Sequence, residues 1–242
     1  MASLNKGYIS RAVDRSLSRI GTPSVDMMQL YWGDYRQHKY VDAALHLSDL
    51  KAQGKIRNIG LTNFDTPRVQ QILTAGVKIA AHQVQYSLLD TRPENLMVDL
   101  CLANNISLLP YGVLAGGFLS DKYLGMKASD VVVDTSSKGK YSRVIIERGG
   151  WSWFQELLRI LDAIAKERGS DISNVAAAWV LGKPTVGGVI LGARNSSHIS
   201  DHVALGGLKL SEGELADIQA VLAKGKQPKG DCYQWERGEG SF

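Results

Sequence analysis

Cysteine is scarce in this chain of 242 residues, which contains only Cys101 and Cys232. The two stand far apart in the sequence, and neither belongs to a Cys-x-x-Cys or a Cys/His ligand pattern. Disulfide frameworks are typical of small secreted folds with several cysteine pairs, and structural zinc sites need closely spaced cysteine or histidine ligands. The sequence therefore predicts neither of them, and we expect no metal site.

Long apolar runs and blocks of like charge are also missing. No apolar run reaches the roughly 20 residues that a membrane-spanning helix needs, and the N-terminal MASLNKGYISRAVDRS lacks the apolar core of a secretory signal. The formal net charge is only +4 and is spread along the chain, which gives no electrostatic footprint for nucleic acid. We expect a cytoplasmic protein that binds a small metabolite and neither nucleic acid nor a membrane.

Short apolar runs alternate with amphipathic helical stretches along the chain. The runs predict five strands, at Val25–Trp32, Ile56–Leu61, Ile79–Tyr86, Ile106–Val113 and Val186–Leu191. Apolar strands that alternate with helices are typical of a parallel sheet covered by helices. The sequence therefore predicts an α/β fold with about five parallel strands, built as an open sheet or as a (β/α) barrel.

Helix signals divide the chain into one domain and a tail. The residues Ile172–Leu181 predict a helix, and SEGEL from Ser211 predicts another that starts with a capping box. We expect a single domain over residues 1–224 and an irregular tail over 225–242. Neither GxGxxG after the first strand nor GxxxxGK[ST] is present, so the Rossmann and P-loop folds would lack their usual phosphate-binding turn.

Seven blocks together resemble the aldo-keto reductase family. They follow in the family's order and spacing from about Ile9 to Leu222: VDMMQLYWGDY, LKAQGKIRNIGLTNFD, HQVQYSLLDTRPE, LLPYGVLAGGFLSDKYLG, GGWSWFQELLRILDAIAKERG, SNVAAAWVLGKPTVGGVILGARNSSHI and LSEGEL. The resemblance implies a TIM-type (β/α)8 barrel, here a partial one, and a site for NADP(H).

The resemblance also implies which residues hold the cofactor. Thr62, Asn63 and Gln83 would contact the nicotinamide carboxamide, and Tyr111 would stack on the ring. The remaining implied contacts are Leu114, Gly116 and Gly117 at the pyrophosphate, Arg194 near the 2′-phosphate, and His198, Asp201 and His202 in the adenine segment. At His198 the family has an arginine, which is always charged, whereas histidine is mostly neutral at pH 7. We therefore expect the affinity for NADP(H) to be weakened or lost.

Two departures from the family's pattern concern catalysis. The family's catalytic Asp, Tyr and Lys lie in its first three strand–helix units, and we expect this chain to be N-terminally truncated and to lack them. The family's catalytic His is replaced by Tyr31 in the block QLYWGDY, where Trp32 and Tyr35 would line the substrate pocket. Carbonyl reduction needs a proton donor, and a tyrosine with a pKa of roughly 10 donates poorly without a neighbouring cation. Alternatively, these three aromatic side chains and Tyr111 only fill the core.

Three hypotheses for the function follow from these departures. The one we expect is an aldo-keto reductase-like protein that has lost hydride transfer and acts as a non-redox isomerase, lyase or cyclase on a small metabolite, with Tyr31 as its catalytic hydroxyl. The second is an NADPH-dependent carbonyl oxidoreductase with proton donors from elsewhere, and the third is a non-catalytic binding or regulatory subunit or a truncated pseudoenzyme. Missing strands would leave sheet edges unpaired, so we also expect a homo-oligomer or a partner protein that covers them.

Overall fold

The computed structural model describes residues 5–192, 203 and 205–239. Four strands lie in this part of the chain: β1 (Val25–Tyr31), β2 (Ile56–Thr62), β3 (Ala81–Gln85) and β4 (Ser107–Tyr111). The helices described are α1 (Lys6–Ile20), α2 (Tyr40–Ala52), α3 (Thr66–Thr74), α4 (Met97–Asn104), α5 (Ser136–Arg148), α6 (Gly150–Glu167), α7 (Ile172–Leu181) and α8 (Glu212–Lys224). The predicted α/β fold with parallel strands and covering helices is confirmed.

Several helices begin where the sequence offers a side-chain cap. The Asp65 carboxylate accepts the backbone N–H of Arg68 at the start of α3, and Asp171 caps α7 in the same way. The predicted capping box of α8 is present, with Ser211 and Glu214 each accepting the other's backbone N–H. Such caps satisfy N–H groups that have no partner inside the helix, and here they fix the points at which strand-end loops turn into helices.

The four strands form one parallel sheet in the order β1-β2-β3-β4. In its register Tyr31 pairs with Thr62, and Thr62 pairs with Gln83. Residues paired in this way point to the same face of a sheet. These three residues therefore form one row across the carboxyl ends of the strands, which we call the strand-end row.

The two faces of the sheet differ in burial. One face packs against the helices and contains Leu61, His82 and Leu108, which are all buried. The other face carries the strand-end row and is open, so that Tyr31 is 51% exposed. Within the described residues, β1 is paired on one side only. This open face corresponds to the inside of a partial barrel.

The prediction of a fifth strand at Val186–Leu191 is wrong. The segment from Val186 forms a single bridge with Leu108, and it is joined to β4 by two further bonds in which the N–H groups of Gly187 and Ile190 donate to Leu108 and Pro110. Glycine weakens a strand interior because it adds backbone entropy and no packing side chain. The sheet within the described residues therefore has four strands instead of about five.

Two segments without strands border the carboxyl ends of the sheet. Residues 112–135 contain three short 3₁₀ turns and lead into α5. The C-terminal segment, which we define as residues 225–239, contains one 3₁₀ turn at Trp235–Arg237 and returns to the strand ends, where Asp231 and Cys232 are buried. In the described part of the chain, no helix combines the length and the apolar character needed to cross a bilayer, and the cytoplasmic location stays a prediction.

Candidate functional site

The carboxyl ends of β2, β3 and β4 bring four of the predicted cofactor residues together. The Tyr111 hydroxyl lies 2.9 Å from Oδ1 of Asn63, and the Asn63 N–H donates to the Gln83 carbonyl at 3.0 Å. Thr62 lies in register with Gln83. Asn63 has a φ of 57°, a left-handed conformation that asparagine adopts more readily than most residues. The turn after β2 therefore holds the Asn63 side chain against the Tyr111 ring.

A large cleft opens beside these strand ends. Its volume is about 1120 Å³, slightly above the range of about 300–1,000 Å³ that is typical of small-molecule sites. Among the predicted residues, Tyr111, Leu114, Gly116 and Gly117 line it. Gln85, Gly112, Lys138, Lys140 and Tyr141 also line the cleft.

Glycines in the loop after β4 allow close approach of other groups. Gly112 has a φ of 67°, and a Cβ atom there would collide with the Tyr141 hydroxyl. Gly116 has a φ of 66°, and its Cβ would lie 2.9 Å from Oγ of Ser137. Larger residues would therefore strain the backbone and push α5 away from the loop. A loop of this kind fits the close backbone approach that a cofactor's pyrophosphate requires.

The donor set on the open face also fits a nicotinamide. Within the described residues, the Thr62 and Gln83 side chains have no hydrogen-bond partner. A hydroxyl and an amide can together donate to and accept from a carboxamide. Burial, with additional repulsion from Glu236, raises the pKa of Tyr111, so its ring stays neutral and its hydroxyl remains protonated beside Asn63.

The three residues predicted for catalysis and substrate binding lie in different surroundings. Tyr31 lies on the open face, whereas Trp32 and Tyr35 are buried and pack against Tyr40. The Trp32 indole donates to the carbonyls of Asp34 and Gln37. Neither Trp32 nor Tyr35 lines the large cleft. Their role in a substrate pocket stays a prediction. Both side chains lie in the core, as the alternative interpretation has it.

The C-terminal segment contributes a cation to the strand ends. The Arg237 guanidinium donates to the carbonyls of Trp32 and Asn63 at 3.1 and 2.9 Å, and it lies 3.1 Å from the centre of the Tyr35 ring. Its side chain is only 7% exposed. Arg237 therefore joins the ends of β1 and β2, next to Tyr31.

An ion-pair network connects the same segment to the cleft. Glu236 pairs with buried Arg92 at 3.0 Å and with Lys140 at 2.8 Å, and Lys140 also bonds Gln85. Burial alone would raise the pKa of Glu236, but hydrogen bonds from Arg92 and Lys140 lower it to about 2. Arg92 is held on its other side by Asp90 and stacks on Trp235. Glu236 is therefore ionised at neutral pH and ties the segment to α5.

Sequence reasoning missed these residues of the C-terminal segment. The sequence predicts an irregular tail here because the segment has no helical or strand period. Its signal was the run DCYQWER at 231–237, which combines aromatic and charged side chains. Such composition is typical of a segment that packs on a protein surface through rings and ion pairs rather than of a solvated tail.

Several predicted cofactor residues cannot be placed. Arg194, His198, Asp201 and His202 lie outside the described residues. The weakened affinity for NADP(H), which was inferred from the histidines, therefore stays a prediction. In the parts that the structure describes, no group of three or more His, Cys, Asp or Glu side chains could hold a metal ion.

Comparison with known proteins identifies relatives along almost the whole chain. The model of the aldo/keto reductase family matches residues 1–223. The chain is 28% identical over 233 residues to the chloroplastic pyridoxal reductase of Arabidopsis thaliana, covering 93% of this chain and 60% of the relative. It is 25% identical over 231 residues to the L-glyceraldehyde 3-phosphate reductase of Escherichia coli K12, covering 92% and 65%. The chain thus spans less than two thirds of the length of these relatives.

Solved structures show the same fold. The glycerol dehydrogenase AKR11B4 of Gluconobacter oxydans matches with a TM-score of 0.80 at 22% identity, over 93% of this chain and 66% of that one. An aldo/keto reductase of Klebsiella pneumoniae, solved in complex with NADP and acetate, matches with a TM-score of 0.69 at 22% identity, over 94% and 68%. The likeness supports the TIM-type assignment of the partial barrel.

The expectation of a non-redox isomerase, lyase or cyclase is wrong. The family match and the two relatives, both named as reductases, support an oxidoreductase. We inferred the loss of hydride transfer from family residues that this sequence does not contain. The sequence, however, spans only part of its relatives' length. The truncation and the loss of the catalytic tetrad are not tested by these matches and stay predictions.

Proposed function

The chain belongs to the aldo/keto reductase family, and on this premise we propose that it carries out NADP(H)-dependent reduction of a carbonyl group in a small organic molecule. The observation that carries the proposal is the contact between Tyr111 and Asn63 at 2.9 Å, beside the strand-end row and at the edge of the 1120 Å³ cleft. This arrangement offers a ring face, a carboxamide partner and a glycine-rich loop within one site.

The residues of the chain would hold and orient the cofactor. Thr62 and Gln83 would bond the carboxamide, Tyr111 would face the nicotinamide, and the loop containing Gly116 and Gly117 would hold the pyrophosphate. When bound, NADPH supplies the hydride that adds to the carbonyl carbon. The hydrogen bond from Tyr111 to Asn63 fixes the ring in one orientation before the cofactor arrives, and such preorganisation lowers the entropic cost of binding.

Tyr31 stands next to Thr62 in the strand-end row. We place it where the family has its catalytic histidine. It would donate a hydrogen bond to the carbonyl oxygen of the substrate and release its proton as negative charge develops there. The aromatic ring supplies an apolar wall that excludes water from one side of the reacting carbonyl.

NADPH binding and turnover test the proposal together. The purified 242-residue protein is titrated with NADPH while its tryptophan fluorescence is recorded, and NADPH absorbance is then followed with pyridoxal or glyceraldehyde 3-phosphate, the compounds in the relatives' names. We expect saturable binding and carbonyl-dependent oxidation of NADPH. Protein that binds no NADPH contradicts the proposal.

A matched pair of variants assigns the binding to the strand-end row. Gln83→Leu removes an amide from the row, whereas Gln53→Leu changes an exposed glutamine at the end of α2. Loss of a hydrogen bond in a ligand site costs about 1.4 kcal/mol, so we expect the Kd for NADPH to rise about tenfold in the first variant and to stay unchanged in the second. Equal Kd values in both variants would place the cofactor elsewhere.

We also propose that further protein covers the open face of the sheet in the assembled molecule. Support comes from β1, which is paired on one side only within the described residues, and from Met27 and Tyr31, which are exposed beside it. Proteins seldom leave a strand edge and an apolar face uncovered, because both promote association. A second copy of this chain is the occupant we test.

A further inference from the structure

Five side chains at the end of β3 form a closed ring of hydrogen bonds, which we call the charge ring. Gln85 donates to Asp90 at 2.6 Å and accepts from Lys140 at 2.5 Å. Lys140 donates to Glu236 at 2.8 Å. Arg92 closes the ring with two bonds to Glu236 and two to Asp90. The charge ring joins β3 and the turn after it to α5 and to the C-terminal segment.

The charges of the ring balance. Arg92 and Lys140 each contribute one positive charge, and Asp90 and Glu236 each contribute one negative charge. The Asp90 and Arg92 side chains are almost fully buried, and that of Glu236 is only 16% exposed. Because charges are screened less inside a protein than in water, one unbalanced charge here would act over a longer distance than a charge on the surface.

The charge ring borders the part of the cleft that we assign to the nicotinamide. Gln85 and Lys140 line the cleft together with Tyr111. Gln85 lies two residues after Gln83 and pairs in register with Tyr111, so its side chain points to the same open face. Repulsion from Glu236 contributes to the raised pKa of Tyr111, which agrees with a carboxylate close to that side chain.

The two redox states of the cofactor differ in charge at this end. The nicotinamide ring of NADP⁺ carries a positive charge, whereas that of NADPH is neutral, and the phosphate groups are the same in both. A protein charge beside the nicotinamide therefore changes the ratio of the two affinities. A charge that acts only on the phosphates changes both affinities alike and leaves their ratio unchanged.

We propose that Glu236 determines the relative affinity of the site for NADP⁺ and NADPH by cancelling the excess positive charge of the charge ring. The inference rests on the proposed binding of NADP(H). Without the Glu236 carboxylate the ring would carry one net positive charge and repel the oxidised nicotinamide. Without Lys140 it would carry one net negative charge and attract it. Glu236 is thus a specificity-determining residue for the redox state of the cofactor.

The variant Glu236→Gln tests the proposal because it removes the charge and keeps an oxygen that accepts from Arg92 and Lys140. The protein is titrated separately with NADP⁺ and NADPH while its tryptophan fluorescence is recorded. A unit charge acting over about 10 Å changes a binding constant roughly fivefold. We therefore expect the ratio of the Kd for NADP⁺ to the Kd for NADPH to rise about fivefold, and an unchanged ratio would overturn the proposal.

The matched control is Glu156→Gln. Glu156 also forms an ion pair with a lysine, Lys224, and neither residue lines the cleft. The variant changes the net charge of the protein by the same amount, so the ratio of the two Kd values should stay at the wild-type value. A ratio that rises equally in both variants would assign the effect to overall charge and overturn the role of Glu236.

A double variant separates charge balance from structural support. Lys140→Gln should lower the ratio of the two Kd values, opposite to Glu236→Gln. With both substitutions the ring contains only Arg92 and Asp90 as charged members and is neutral again, so the ratio should return to within twofold of the wild type. A double variant that keeps the raised ratio of Glu236→Gln would show that the substitution acts by loosening the segment, and would overturn the proposal.

The same titrations distinguish this inference from the proposed function. Wild-type protein that binds neither NADP⁺ nor NADPH would contradict the proposed function and the inference that rests on it. Protein that binds both forms, with one ratio of Kd values in all the variants, would overturn the role of Glu236 alone and leave the proposed function standing.

Discussion

Glu236 Oε1 lies 2.8 Å from Nζ of Lys140. This ion pair links the C-terminal segment to α5, the helix that borders the cleft. Because Glu236 also holds buried Arg92, removing the lysine should loosen the segment without releasing it. We expect Lys140→Gln to speed amide hydrogen exchange in residues 225–239 and to change the free energy of global unfolding by no more than about 1 kcal/mol.

The control for that variant is Lys166→Gln. Lys166 also forms an ion pair, with Asp162, but it is largely exposed on α6 and far from the C-terminal segment in the sequence. Exchange in residues 225–239 should stay at the wild-type rate. Equal exchange in the two variants would show that the Glu236–Lys140 pair does not hold the segment.

His82 makes the stability of the fold depend on pH. Its Nε2 accepts the Phe64 N–H at 3.1 Å, and burial lowers its pKa to about 3, against roughly 6.5 in an unfolded chain. Between pH 6.5 and 3 only the unfolded chain takes up the proton, so the free energy of unfolding should fall as the pH drops through this window. The loss is at most about 5 kcal/mol.

Chemical denaturation at a series of pH values measures this effect. In His82→Gln the amide oxygen can still accept the Phe64 N–H, but the residue no longer titrates, so the dependence between pH 6.5 and 3 should be much flatter. His38→Gln, at an exposed position, should keep the wild-type slope. A slope that survives in His82→Gln would assign the dependence to other groups.

The glycine at the mouth of the cleft should resist substitution. In Gly112→Ala the new Cβ meets the Tyr141 hydroxyl and the φ of 67° is unfavourable, so we expect about 1–2 kcal/mol of destabilisation and weaker NADPH binding. Gly213→Ala in α8, where a Cβ meets nothing within 4 Å, should instead stabilise slightly. Thermal melts and fluorescence titrations of both variants provide the comparison, and wild-type behaviour of Gly112→Ala would argue against close packing of this loop.

The fold was largely predictable because local patterns determine it. The apolar runs predicted β1 to β4, and Ile172–Leu181 begins and ends as expected because Asp171 caps it. The prediction of a fifth strand was wrong because Gly187 and Gly188 interrupt an otherwise apolar run. At the site, the family's pattern predicted Asn63 and Tyr111, but it did not predict that the C-terminal segment lies there. Its anchors join residues as distant as Thr66 and Asp231, and no local period reports such contacts.

Light scattering tests whether a second copy of the chain covers the open face of the sheet. We expect the purified chain to form a dimer that dissociates on dilution, since Met27 and Tyr31 are exposed beside the unpaired side of β1. Met27→Lys places a charge on this face and should shift the equilibrium towards monomer. A wild-type protein that stays monomeric at all concentrations would contradict self-association through this edge.

Transfer of isotope from the cofactor tests the central claim of carbonyl reduction most directly. The protein is incubated with NADPH that carries deuterium at both C4 positions of the nicotinamide and with an aldehyde that it consumes, and the alcohol product is analysed by mass spectrometry. We predict deuterium on the former carbonyl carbon. An alcohol without deuterium, or an aldehyde converted while the label stays in NADPH, would contradict hydride transfer at this site.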